Sequence, residues 1–424
     1  MAVETGAGVR RSRPQEHQRR EAPMPPRSEL FALVDHHWDG LLTFTRRLVQ
    51  TPSLPGQEHD VAAVVQDEMQ RLGYDEVRVD HAGNVVGMMR GGDGPALLLN
   101  THMDHVAVGD PARWPHPPFG AEIHDDAIWG RATVDIKGPM AAQIYAVAAL
   151  KAAGYSFPGP VHAAAVVQEE IGGYGTRSLL DWLRPDIALI GEPSANRLAR
   201  GHRGRIELHV TVKGRSVHAS VPQLGVNPHY SVARFLTALR ETDLPEQGEF
   251  GASSVAPTLY STDNPSANVI PSEIHLVLDY RNVPSDSPEA VRARMAQLLA
   301  ASLDAEATAD VVIPQRAYKT WTGVEWQLPA IFPAFEAPAD SPVVAAAQAA
   351  LSEALGEDTP VILWRFATDG GHTAAAGVPT LGFGPGDDRL AHTITEHLPL
   401  AALRAGCAGT IALVESLGHL RRHA

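Results

Sequence analysis

Short apolar runs that stop abruptly at polar or charged residues recur along the first half of the chain: ALLL before NTHMD, HAAAVV before QEE, and DIALIG before EPS. Runs of this length without alternation read as strands buried on both faces, the habit of parallel sheets. Their last residues then emerge at the carboxyl edge of the sheet, where open α/β folds bind ligands. Helical patterns lie around them. Residues 29–50 are amphipathic, a helix is expected at about 57–72, and 138–153 is alanine-rich with Pro139 in its first turn and Gly154 beyond its end. With strands near 76–89 and 96–102, this alternation of helix and strand predicts an α/β sheet.

A different rhythm begins after GEPS. Residues 202–315 read as strand (RIELHVTVKG), helix (PHYSVARFLTAL), two strands (SVAPTLYST and NVIPSEIHLVLDYRN), helix (SPEAVRARMAQLLAASL) and strand (ADVVIP). Two such βαβ halves predict a small four-stranded layer covered by helices, an α+β unit. A chain of 424 residues exceeds what one core usually serves, so two domains are expected. The division is 28–201 and 316–424 for a discontinuous first domain and 202–315 for the inserted one. Residues 1–27 are Arg- and Pro-rich without an apolar stretch, which predicts a disordered tail and no signal peptide.

Composition narrows the function. The formal net charge of -14 argues against non-specific nucleic-acid binding. No apolar run is read as approaching the roughly 20 residues that span a bilayer, so no membrane segment is expected. A single cysteine, Cys407, excludes an internal disulfide, and a reducing cytoplasm is the simplest location.

The strand ends carry the candidate chemistry: His102 and Asp104, Glu169 and Glu170, and Glu192. Asp135 sits in GRATVDIKG just before the alanine-rich helix, and His392 lies in DRLAHTITEHL near the other end of the chain. Zinc takes neutral imidazole and carboxylate together, and a catalytic site leaves a position for water. Two such ions about 3.5–4 Å apart need a carboxylate between them and generate a nucleophile at neutral pH. Two histidines and three carboxylates meet that demand and leave a fourth carboxylate free to act as base. Of the adjacent Glu169 and Glu170, one can ligate while the other takes the proton.

The order HMD, GRATVDIKG, QEE, GEPS and AHTITEHL resembles that of the cocatalytic zinc hydrolases, which include acetylornithine deacetylase, succinyl-diaminopimelate desuccinylase, aminoacylase and the glutamate carboxypeptidases. The resemblance spans roughly residues 30–420. The stretches GDPARWPHPPFGAEI, RGHRGRIELHVTVKGRSVHAS and FGPGDDRLAHT most resemble the family's deacetylase-like hydrolases linked in name to selenium metabolism. It implies a zinc-peptidase-like catalytic domain with a central mixed sheet and a four-stranded lid or dimerisation domain. It also implies two Zn²⁺ per subunit, with Co²⁺ or Mn²⁺ as substitutes. Asp135 is then the bridging carboxylate, His102 and Glu192 hold one metal, Glu170 and His392 hold the other, and Glu169 is the general base. Asp104 would accept from the His102 imidazole N–H. Glu396 would orient His392 in the same way or lie on a helix surface. Ala132, Thr101 and Ser194 depart from the usual family residues, and none of them removes a ligand.

In the inserted domain, His218, Asn268 and Arg281 match family positions that reach the substrate, often from the partner subunit of a dimer. An imidazole or amide there steadies an oxyanion, and the guanidinium grips a carboxylate. Glycines 382, 384 and 386 allow backbone N–H groups, at Gly386 above all, to approach a carboxylate, or simply form a tight turn before His392. Asp369, in a TDG-like loop, is a further pocket candidate beside Arg365 and His372. Trp114, Phe119, Trp321 and Trp326 are core or pocket residues. The reading that follows is a metal-dependent amide hydrolase that removes an acyl group from an N-acyl amino acid as a homodimer joined through the inserted domain. A dipeptidase or carboxypeptidase with the same machinery is the alternative. A non-catalytic binding relative would have no need of Glu169.

Overall fold

The computed structural model of the chain describes residues 26–420. The tail expectation therefore falls almost entirely outside the described residues, and helix begins at its last position, Arg27. The amphipathic stretch is two helices, Arg27–His36 and Trp38–Val49, which meet at His37.

Among the described residues the central sheet has nine strands. In spatial order they are Glu76–Val79, Val85–Met89, Val161–Val166, Leu97–His102, Ile187–Ile190, Thr380–Gly382, Leu198–His202 and Phe335–Glu336, with Val361–Trp364 also on Leu198–His202. The middle of the sheet is parallel and its outer pairs are antiparallel, so it is mixed. Leu97–His102 is buried along its whole length, as its unbroken apolar run requires.

One face of this sheet is packed by helices Gly138–Ala152, Pro342–Leu355 and Leu400–Gly418. Alanines at 141, 142, 146, 148 and 149, all buried, let the first of these lie close to its neighbours. Leu400–Gly418 is long and apolar enough to cross a membrane by composition, which corrects the expectation that no run approaches that length. Two-thirds of that apolar stretch is covered by the rest of the fold, and Leu403, Cys407, Ile411 and Leu417 belong to the main core.

The second sheet runs Ser254–Thr262, Glu273–Arg281, Arg205–Lys213, Thr308–Val312, antiparallel throughout, with the short Ile331–Phe332 also on Arg205–Lys213. The two βαβ halves thus return their strands to antiparallel neighbours. Strand Arg205–Lys213 alternates strictly, burying Ile206, Leu208, Val210 and Val212 against helices Pro228–Glu241 and Pro288–Ala300. The residues between them, beginning with Arg205 and Glu207, face the other way.

Candidate metal centre

Register places most of the centre. His102 is level with Val166 and Asn100 with Ile190 across parallel pairs. The chain continuing from these three strands delivers Asp104, Glu169, Glu170 and Glu192 to one carboxyl edge. Asp135 comes from the turn Thr133–Lys137, entered through Ala132 at φ 66°. This is the left-handed conformation that glycine takes freely and alanine does not, which makes the Ala132 departure a local cost. His392, at φ 63°, closes the group from the loop before strand His397–Pro399.

Asp135 stands between the two histidines. Its Oδ1 lies 3.1 Å from His102 Nε2 and its Oδ2 3.0 Å from His392 Nε2. Glu170 Oε1 is 3.2 Å from His392 Nε2, Glu192 Oε1 is 3.6 Å from His102 Nε2, and Glu169 Oε2 is 4.0 Å from the same nitrogen. Donor atoms of His102, Asp135 and Glu170, and those of His102, Glu169 and Glu192, each lie within 4.8 Å of one another. Among the described residues, no lysine or arginine forms an ion pair with these carboxylates. Burying so much like charge is costly unless cations compensate it, and mixed imidazole and carboxylate donors suit divalent metal.

Electrostatics separates the carboxyls. Burial pushes the Glu169 carboxyl well above the usual range; His102 opposes that, while Asp369, Glu192 and Glu170 add to it. Burial also acts on Asp135, but hydrogen bonds with His102 and His392 outweigh it and hold that group below its ordinary value. The same bonds, to Asp135 and Glu170, raise His392 to about 10.

The supporting residues differ from expectation. His102 Nδ1 lies 2.9 Å from the backbone carbonyl of Asp104 and 3.5 Å from its carboxylate. A carbonyl only accepts, so Nδ1 carries a proton, and with an ion in the site Nε2 would be the nitrogen free to present its lone pair to it. The Asp104 carboxylate is instead taken up by the backbone N–H groups of Glu169 and Glu170, at 3.0 and 3.1 Å. It orients the acidic pair, and its main chain orients the histidine. Glu396 does not hold His392. Fully buried, it takes the guanidinium of Arg131 at 2.5 Å and the backbone N–H groups of Val134 and Asp135 at 3.1 and 3.4 Å.

A cavity of about 420 Å³ opens onto Asp135, Glu169, Glu170, Glu192 and His392, and Arg281 lies on its wall with Phe332 and Phe366. The other substrate candidates lie elsewhere. His218 is exposed on a short strand paired with Val269, its Nδ1 2.7 Å from Ser220 Oγ, and Asn268 is exposed beside it. Asp369 is buried behind the cavity, accepting from Thr176 Oγ1 at 2.6 Å. Gly386 is a packing glycine. It has φ 101°, and a Cβ there would come within 2.6 Å of Val134 Cγ1. The four aromatic candidates pack in the body of the protein: Trp326 stacks on Tyr174 at 5.1 Å, Trp114 lies under Arg131, Phe119 beside His105, and Trp321 bonds to the Gly83 carbonyl.

Three contributors escaped the sequence reading. Arg205 reaches the cavity wall and shares Asp279 with Arg281, at 2.8 and 2.5 Å; its signal was the alternation of its strand. Arg131, between two motif residues, carried no signal of its own. Gln168, left-handed at φ 58°, accepts from the Trp326 indole at 2.5 Å and donates to the Lys319 carbonyl at 2.9 Å. It thereby fastens the turn before Glu169 to the hairpin of Gln315–Lys319 and Glu325–Pro329.

Known proteins resemble this chain in sequence and in fold. Residues 98–416 match the model of peptidase family M20/M25/M40. The uncharacterized protein YgeY of Escherichia coli K12 is 29% identical over 362 residues, covering 83% of this chain and 88% of that protein. Succinyl-diaminopimelate desuccinylase of Paracoccus denitrificans is 32% identical over 288 residues, 63% of this chain and 74% of that enzyme. Among solved structures, a tripeptidase from Staphylococcus aureus superposes with TM-score 0.71 at 21% identity, covering 90% and 98% of the two chains. The YXEP protein of Bacillus subtilis, a dinuclear metal-binding peptidase of the M20 family, gives 0.67 at 16% identity over 90% and 98%.

Proposed function

The chain belongs to peptidase family M20/M25/M40, and from that premise we propose that it deacylates N-acyl amino acids. At the coarser level it is a metal-dependent hydrolase of amide or peptide bonds. The observation that carries the finer reading is that the Glu169 carboxyl and the Arg281 guanidinium line one cavity together with Phe332 and Phe366. The guanidinium suits the free carboxylate of an amino acid, and the aromatic rings suit an uncharged acyl chain.

His102 and Glu192 would hold one ion, Glu170 and His392 the other, and Asp135 would offer an oxygen to each. Two Zn²⁺, or Co²⁺ or Mn²⁺ in their place, supply the Lewis acidity that polarises the carbonyl and makes water nucleophilic at neutral pH. Glu169 accepts the proton of the attacking water as its oxygen bonds to the carbonyl carbon. It returns that proton to the nitrogen as the carbon–nitrogen bond breaks. Asp104 keeps Glu169 and Glu170 in position through their backbone N–H groups.

His218 and Asn268 serve the oxyanion by reaching a neighbouring cavity in a homodimer. The exposed edge strand Ser254–Thr262, with Leu259 66% and Tyr260 49% exposed, supports an interface on that unit. A dipeptidase is the second reading, favoured by Asp388 on the cavity wall, which offers a carboxylate to a free amine. Amine release from N-acetyl, N-succinyl and N-carbamoyl amino acids and from free dipeptides, with zinc or cobalt, separates the two. Loss of Glu169 in Glu169→Ala should lower kcat by at least about 10²- to 10⁴-fold while metal content is retained. Faster turnover of free dipeptides than of any N-acyl amino acid would overturn the deacylase reading.

A further inference from the structure

The wall of the cavity that the second sheet supplies carries more arginine than it neutralises. Ile206 pairs with Tyr280 across the antiparallel strands Arg205–Lys213 and Glu273–Arg281, so Arg205 and Arg281, one step further on, face each other. Like charges opposite one another on a sheet repel and cost stability. Asp279 serves both. Its Oδ2 accepts from Arg205 Nε at 2.8 Å and from Arg281 Nη2 at 3.3 Å, and its Oδ1 accepts from Arg281 Nε at 2.5 Å. Burial works against the charge on Asp279, but the hydrogen bonds from Arg205 and Arg281 outweigh it and hold the carboxyl below its ordinary range. Glu207, the other carboxylate on that face, is engaged elsewhere, by Arg316 and by His209 Nε2 at 3.0 Å. Two guanidiniums therefore share a single carboxylate, and a positive charge is left over. Among the described residues Arg205 makes no hydrogen bond but the one from Nε, so both its Nη groups are left to a ligand. It lines the catalytic cavity and also the recess that continues from it past Phe332 toward Arg316.

We propose that Arg205 is a specificity-determining residue for a second carboxylate, so that the amine half of the preferred substrate is an acidic amino acid of the aspartate or glutamate type. The inference rests on the deacylase reading, in which Arg281 takes the α-carboxylate. A guanidinium presents paired N–H groups in a plane, the geometry a carboxylate accepts. Because Asp279 fixes both arginines, the two anion positions are neighbours, as the α- and side-chain carboxylates of one amino acid are. A carboxylate in the acyl group would instead lie across the amide from the α-carboxylate and farther from it. A neutral side chain in the same place would forgo the charge-assisted bonds and leave the excess charge uncompensated. Arg205 touches no reacting atom in this scheme; it selects the substrate.

The test is the ratio of kcat/KM for N-acetyl-L-glutamate to that for the isosteric N-acetyl-L-glutamine, measured on the full-length, zinc-loaded protein. Wild type should favour the glutamate compound by about 10- to 100-fold, the worth of a hydrogen bond between charged groups. Arg205→Gln should bring the ratio close to one, and Arg205→Lys, which keeps the charge without the planar fork, should retain part of it. Turnover of dipeptides alone would defeat the deacylase reading by itself, and the same ratio is then taken for Gly-Glu and Gly-Gln. Calorimetric binding of free L-glutamate and L-glutamine to wild type reads the preference independently of turnover and of whether the variants fold. Equal handling of the acid and the amide by wild type in either measurement, or an Arg205→Gln variant that loses activity on both substrates alike, would overturn the proposal.

Discussion

Removing Glu396 probes how the central carboxylate is held. Glu396 and Arg131 are 0% and 3% exposed, and the glutamate also takes the backbone N–H groups of Val134 and Asp135. Glu396→Ala strands a buried guanidinium whose Nε already has no hydrogen-bond partner. Removing one member of a buried pair costs about 3–5 kcal/mol, set against the ~5–15 kcal/mol that stabilises a typical domain. Glu396→Gln is the sharper probe. Whichever way the amide turns, its NH₂ group meets either the guanidinium or the N–H of Val134, donor against donor. Because Asp135 loses its support, zinc affinity should fall by about 10- to 100-fold, as for other residues that orient a metal's ligands. The assay is a double-mutant cycle of Glu396→Ala with Arg131→Met, read by melting temperature and by zinc titration. A coupling energy of about 2–3 kcal/mol is expected for residues in one buried network. If the two effects simply add, or if Glu396→Ala leaves zinc affinity unchanged, the account of Glu396 is wrong.

Further outcomes can be checked directly. Arg281→Met should raise KM by about 10- to 100-fold for substrates with a free carboxylate, the worth of a hydrogen bond between charged groups, and should leave the corresponding amides unaffected; equal losses for both would refute carboxylate recognition. Gln168→Ala leaves the Trp326 indole and the Lys319 carbonyl without their partner, so thermal or urea unfolding should show a loss of about 1–3 kcal/mol. Burial pushes His202 down to about 4, against the pull of its bonds to Arg203 and Thr368. Unfolded, that imidazole binds a proton near its ordinary value, so it contributes stability above pH 6.5 that is lost as pH falls toward 4, about 3 kcal/mol in full. Melting curves of metal-stripped protein over that window should be flatter in His202→Gln than in wild type, and parallel curves would contradict the assignment.

The sequence by itself determined the elements whose burial is uniform or strictly periodic. The runs before His102, Glu169 and Glu192 had to be interior strands, because continuous apolar stretches of that length have no solvent face to offer. The alternation in RIELHVTVK fixed a half-buried strand for the same reason. Motif order then brought His102, Asp135, Glu169, Glu170, Glu192 and His392 together on paper, and the fold gathers those six side chains around one cavity or its edge. What the chain could not announce depends on partners distant in sequence. Glu396 follows His392 by four residues, and proximity suggested that histidine; the packed turn at Ala132 instead carries Arg131 and the N–H groups of Val134 and Asp135 to it. Asp104 lies two residues from His102, but its carboxylate is turned to the next strand's end, since two converging N–H groups hold an anion better than one imidazole does. Gly386 was ambiguous because a glycine required by a ligand and one required by a neighbouring valine read identically until the valine is in place. Hydrophobic pattern is a property of each segment alone, and so it was legible; which donor meets which acceptor is a property of the tertiary packing, and only the folded chain decided it.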